Sequence, residues 1–145
     1  MVVAKVGKSK QKKVMHYSVG AIIKYGNRYL LISRKNPPLG YAGVAGHVLE
    51  NETPEEALAR VVKERVGMRV QKAEQLFEEE LDWNWCNQDV DIHYWNLYRC
   101  EVAGEPRKGL KDIKTIDWYS PEDIQTLQLE KVWKYWFEKL NVIKP

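Results

Sequence analysis

The chain has 145 residues, of which 44% are hydrophobic and 30% charged, with a formal net charge of +3. That length suits one domain that buries a core without disulfide or metal staples, and no apolar run approaches the roughly 20 residues needed to span a bilayer. The N-terminus lacks the apolar segment of an export signal. Cys86 and Cys100 stand apart rather than in CxxC pairs, which argues against a structural zinc site and fits a reducing cytoplasm.

Lys5, Lys8, Lys10, Lys12 and Lys13 crowd the first thirteen residues with no acidic residue among them. Residues 1–13 are therefore expected to be a basic, flexible arm, either solvated or touching nucleic-acid phosphates such as those of RNA. Residues 14–145 are expected to form a single domain. Val14 to Ile23 reads as a strand with Val19, Ala21 and Ile23 on one face. Tyr25-Gly-Asn-Arg28 supplies a turn, and Tyr29 to Ser33 returns as a second strand. Asn36 to Gly40 breaks into a loop. Thr53-Pro-Glu-Glu56 is a capping box that opens a helix, which ends before Gly67. Strands are expected near Gln71–Leu81 and Ile92–Val102, joined by a long turn over Asp82–Asp91, and a short strand at Lys114–Tyr119. Ser120-Pro-Glu-Asp123 opens another helix. The last helix carries Leu129, Val132, Trp133, Trp136, Phe137 and Leu140 at helical spacing, an aromatic stripe read as core packing. Strands, a helix, more strands and a closing helix give an α/β (α+β) fold, a mixed sheet sandwiched between helices.

The central segment, residues 46–68, carries the chemistry. Gly46 is followed by Glu52, then Arg60, Val62, Glu64, Gly67 and Met68. This resembles the Nudix box, in which Gly, five residues, Glu, seven residues, then Arg-Glu-hydrophobic-any-Glu-Glu-any-Gly-hydrophobic follow one another. Seven of the nine specified positions match. Glu52-Thr-Pro-Glu-Glu-Ala57 and Gly43-Val-Ala-Gly46 extend the likeness, and the order of elements fits from about residue 14 to 140. The resemblance implies the Nudix fold of MutT-like proteins, and a hydrolase that uses Mg²⁺ or Mn²⁺ to cleave a nucleoside diphosphate linked to another moiety. It also implies that Glu52 and Arg60 form an ion pair bracing the loop–helix–loop, with Gly46 and Gly67 as tight turns.

Two departures matter more than the matches. Family members place Glu where this chain has Val61 and Arg65. Positions 61, 64 and 65 share one helix face, and three carboxylates there would cage a hard cation. Here only Glu64 remains, as catalytic and metal-binding candidate, with Gly46 and the loop residue Asp112 as further metal candidates. Arg65 beside the cation position would repel it by about 4 kcal/mol at about 4 Å and an effective dielectric near 20. Ala45 and Asn51 stand where the family has further glycines. The acidic run Glu78, Glu79, Glu80 and Asp82 reads as a solvated strand edge or a replacement ligand set.

Arg34 and Lys35 resemble the basic position that meets substrate phosphates in MutT-like enzymes. Arg65 has two readings: a structural arginine, or a fork that grips phosphate in place of the lost cation. Trp83 and Trp85, with Tyr94 and Trp95 nearby, are candidates for stacking on a base, against packing as the alternative. His93, a lone histidine among aromatics, reads as structural or else as a possible acid–base residue, and no second histidine or paired cysteine beside it in the sequence supports a zinc role. The functional expectation is a weak or atypical Nudix pyrophosphohydrolase. The alternatives are a non-catalytic domain that binds a nucleotide, a phosphorylated metabolite or RNA, and an interaction module. A homodimer is compatible with the family, and no membrane partner is expected.

Overall fold

The computed structural model describes residues 3–86 and 88–145. Its elements in chain order are β1 (Val6–Lys8), β2 (Val14–Tyr25), β3 (Arg28–Arg34), β4 (Tyr41–Ala42), β5 (Val44–His47), α1 (Pro54–Val66), β6 (Arg69–Leu81), β7 (His93–Ala103), β8 (Ile113–Tyr119), α2 (Pro121–Thr126) and α3 (Lys131–Lys139). The expected mixed sheet with helices is what the chain forms.

Strand β2 is the hub. One edge pairs in parallel with β7, from His16 opposite His93 to Ile23 opposite Cys100. The chain also pairs β2 antiparallel with β1, β5 and β3. Strand β6 continues the sheet beyond β7, and β8 and β4 attach to β3. Buried on both faces, β2 reads Ser-Val-Gly-Ala-Ile-Ile through its centre rather than alternating with polar residues. The turn between β2 and β3 places Gly26 at φ 60°, as the sequence required.

Helix α1 begins with the full capping box. Thr53 accepts from the Glu56 amide, and Glu56 accepts from the Thr53 amide at 3.0 Å. Gly67 closes the helix in the left-handed region, at φ 69°. The helix buries Ala57, Leu58, Val61, Val62 and Val66. Helix α3 covers the other face of the sheet with the expected aromatic stripe, and Trp133, Trp136 and Phe137 are among the most buried large side chains. Trp95 of β7 meets Trp133 and Trp136 edge-on. Gly20 and Gly43 let the sheet approach that layer, since a Cβ at either would lie within 3.3 Å of the Trp133 ring.

Two expectations need correction. Residues 3–13 are not a flexible arm: Val6–Lys8 forms a strand on β2, Ala4 bridges Leu49, and the Lys5 ammonium lies 4.5 Å from the Tyr17 ring centre. An edge strand satisfies its backbone on the sheet while long lysine stems leave their charges in water. The segment before the first helix is also more regular than a loop. Val44–His47 pairs with β2, with Gly46 opposite Val19. Gly46 thereby faces α1, and a Cβ there would come within 2.7 Å of Val61. Gly46→Ala is expected to destabilise the fold by about 1–3 kcal/mol through overpacking. Val61→Ala in the same chain should recover part of that loss. Urea unfolding of the two single variants and the double variant measures the coupling, and strictly additive losses would refute the close-packing account.

Candidate functional site

An open cleft of about 260 Å³ lies where β2, β5 and β7 meet the start of α3. That is near the small end of ligand sites. Its polar and aromatic lining includes Arg34, His47, Arg65, Trp85, His93 and Glu130.

Arg60 organises one side. Its Nε donates to Glu52 Oε2 at 2.6 Å and its Nη2 donates to Glu52 Oε1 at 3.0 Å, so the pair is a two-pronged clamp. The same Nη2 donates to the His47 carbonyl at 2.8 Å, fastening β5 to α1. The clamp pulls the Glu52 carboxyl below its usual pKa. The ion pair implied by the box is therefore present as a brace. Arg60 Nη1 also holds Glu64 at 3.1 Å. Glu64 is half exposed, engaged with this arginine, and absent from the lining of the cleft.

The cleft instead contains two cations. Arg65, one position further along α1, lines it, and so does Arg34 from the end of β3. Burial first, then Arg34, pulls the Arg65 guanidinium below its usual range. Among the described residues Arg34 has one anchor, Asp112, at 3.6 Å, and its Nε is buried without a hydrogen-bond partner. Asp112 is thus spent on Arg34 and is not in the lining. Lys35 is exposed and outside the cleft; its amide donates to the Asp112 carbonyl. Two half-buried guanidinium groups in a concave site focus positive potential where an anion would sit.

Glu130 faces these arginines and was missed in the sequence. It is 8% exposed at the start of α3, and burial raises its pKa to about 7 against the opposing pull of Arg34 and Arg65. A carboxyl poised there can give or take a proton at neutral pH. The only advance signal was an acidic residue just ahead of an aromatic helix.

The tryptophans divide. Trp85 lines the cleft with its ring 41% exposed, and its Nε1 donates to Asp89. Trp83 lies away from the cleft, packed edge-on against Tyr135 under α3. Trp95 is buried and donates to Asn84 at 2.7 Å. Three carboxylates of the acidic run are engaged locally. Glu78 accepts from Tyr94, Glu79 from Tyr135 and Lys139, and Glu80 from the Lys10 amide.

Residues 14–140 match the family described as NUDIX domain. The chain belongs to the Nudix family. Its fold is shared with a MutT Nudix hydrolase from Burkholderia pseudomallei, at 22% identity, covering 87% of this chain and 98% of that one, with a TM-score of 0.76. It is shared with the Nudix domain of NrtR from Shewanella oneidensis, solved with ADP ribose, at 17% identity, 93% and 92% coverage and a TM-score of 0.74. It is shared also with a MutT protein from Methanosarcina mazei, at 18% identity, 88% and 93% coverage and a TM-score of 0.72. No curated protein matches the sequence. Within this Nudix domain, the residues at the two altered box positions have distinct fates. Val61 is 2% exposed in the core against Gly46, and Arg65 enters the cleft.

The buried Glu130 makes stability depend on pH. Its folded pKa of about 7 lies above the ordinary 4.5, so its folded state holds a proton that the unfolded chain releases. Its contribution is fully present below pH 4.5 and is lost as pH rises through 7. Relative to Glu130→Gln, the parent is expected to lose up to about 3 kcal/mol over that window. Urea unfolding of both proteins from pH 4.5 to 8 measures this, and a pH-independent difference would contradict it.

Proposed function

We propose that this Nudix domain binds the diphosphate of a nucleoside diphosphate derivative, with Arg34 and Arg65 as the phosphate grip. The observation that carries the reading is the exchange at position 65. A box carboxylate is replaced by a guanidinium that enters the cleft, while Glu64 is held outside it by Arg60. Charge supplied by a divalent cation in a carboxylate cage is here supplied by the protein. An arginine fork matches phosphate oxygens and needs no hydration shell stripped from Mg²⁺. Exposed Trp85 at the rim offers a face for a base or sugar ring. Adenine nucleotides joined to a second moiety are reasonable first ligands, given the ADP ribose bound to the related NrtR domain.

The residues fit Mg²⁺ or Mn²⁺ poorly. Glu64 is the one carboxylate left on the box face, and the orphaned Arg34 Nε and the Arg65 head occupy cationic ground. A second reading, slow hydrolysis, is favoured by Glu130, whose pKa near 7 suits a general base beside the arginines. In that reading the two guanidinium groups stabilise charge on the phosphates and Glu130 takes a proton from attacking water.

Calorimetric titration with ADP-ribose and a panel of nucleoside diphosphate derivatives tests binding. The parent is expected to bind at least one without added metal. Arg65→Ala should weaken binding by tenfold or more, as for loss of a charge-assisted hydrogen bond. Robust Mg²⁺-dependent turnover that vanishes in Glu64→Gln would sink the binding reading. Slow turnover that vanishes in Glu130→Gln instead would establish the second.

A further inference from the structure

A cluster of four side chains adjoins the cleft, and three of them, His47, Cys86 and His93, line it. His16 from β2, His47 from β5, His93 from β7 and Cys86 from the 82–91 turn converge on one point. Each offers one donor atom, and these four atoms all lie within 4.8 Å of one another. The imidazole centroids stand 4.8 Å apart for His16 and His47, 5.7 Å for His16 and His93, and 5.6 Å for His47 and His93. Cys86 Sγ is 3.9 Å from His16 Nδ1.

The sheet register creates this arrangement. His16 stands opposite His93 in the parallel β2–β7 pair. His47 stands opposite Ser18, two residues on and therefore on the same face as His16. The turn that carries Cys86 is closed by its own backbone bonds. The Cys86 amide donates to the Val90 carbonyl at 3.2 Å, and the Asn84 amide donates to the Asp91 carbonyl at 3.1 Å. Cys86 is thus presented to the histidines by a built loop.

The second observation is an unsatisfied group. His93 is 2% exposed, and among the described residues neither ring nitrogen has a hydrogen-bond partner of good geometry. The Asn84 main chain lies near enough only to oppose slightly the fall in its pKa that burial produces. An orphaned buried polar group destabilises the fold, so a bound species that takes one nitrogen would relieve a standing penalty.

We propose that His16, His47, His93 and Cys86 form a binding site for a zinc-class transition-metal cation. The donor set is three imidazole nitrogens and one thiolate, which suits a borderline-soft ion and not Mg²⁺. Tetrahedral zinc sets its ligand atoms about 3.3–3.6 Å apart, given bonds of about 2.0–2.3 Å. The donors, all within 4.8 Å of one another, need to close by about 1 Å on binding. On binding, the Cys86 thiol gives its proton to solvent, and the thiolate offsets one of the metal's two charges. Arg65 and Arg60 both act on His47; Arg60 is already neutralised by Glu52 and Glu64, and the thiolate offsets the opposition from the Arg65 charge. The ion would tie the 82–91 turn to the sheet and fix the wall that carries Trp85. This site uses none of the phosphate-grip residues, so it stands or falls separately from the nucleotide reading.

The test uses the untagged full chain, stripped with a chelator and titrated with Zn²⁺ against a chromophoric competitor. One ion per chain is expected. Co²⁺ in its place should give the intense visible bands of tetrahedral coordination and a near-ultraviolet thiolate charge-transfer band. Cys86→Ser should abolish the charge-transfer band and weaken Zn²⁺ at least tenfold. His47→Gln, at the less buried ligand, should weaken binding similarly, with far-ultraviolet circular dichroism confirming its fold. Zn²⁺ should also protect Cys86 from a thiol reagent, Cys100 being buried. Binding below one equivalent, a Co²⁺ spectrum without the thiolate band, or variants that bind as the parent does would each overturn the proposal.

Discussion

The backbone pairing of β2 governs both the fold and the site. Its parallel register with β7 and antiparallel register with β5 leave no freedom in which residues face each other. A slip of one residue would turn every side chain to the opposite face. His16, Ser18 and Gly20 would then point at α1, and Val19 and Ala21 at α3. The close approach of Gly20 to Trp133 and of Gly46 to Val61 permits only one register. Packing on two faces thus holds in place the alignment that gathers three histidines, although no helix or turn signal refers to them.

Arg60 performs a second, electrostatic division of the domain. By binding Glu52, Glu64 and the His47 carbonyl together, it gathers negative charge on one flank of α1. The adjoining flank is left with Arg65, Arg34 and the buried Glu130. A single helix therefore separates a neutralised brace from a cationic cleft. Glu64 on its own would be a weak metal ligand, and its engagement with Arg60 makes it weaker still. The loss of two carboxylates has unequal consequences. Val61 joins the hydrophobic core, whereas Arg65 puts a positive charge on the lining of the cleft.

Much of this was legible in the chain itself. The capping box at Thr53, the Gly67 stop and the period of the last helix are local signals, because capping and amphipathicity act over a few residues. The spacing from Gly46 to Met68 identified the family region and the Glu52–Arg60 brace. Other features were misread for equally physical reasons. Five lysines looked like a solvated arm, since composition does not reveal that a sheet edge lies open beside them. Trp83 and Trp85, two residues apart, received the same reading, yet one is packed under Tyr135 and the other lies at the cleft rim. Lys35 and Arg34 are adjacent, and the end of β3 turns only Arg34 inward.

The sequence by itself determined the family, the main secondary elements and the two positions where the box departs from its pattern, all of which are encoded within short stretches. Only the tertiary structure decided that Arg65 and Arg34 converge, that Glu130 is buried between their charges, and that His93 is not alone. His16, His47, Cys86 and His93 are scattered over 78 positions of the chain, counting from 16 to 93 inclusive. Nothing in their spacing announces a cluster, because long-range strand pairing, not local periodicity, brings them within reach of one ion.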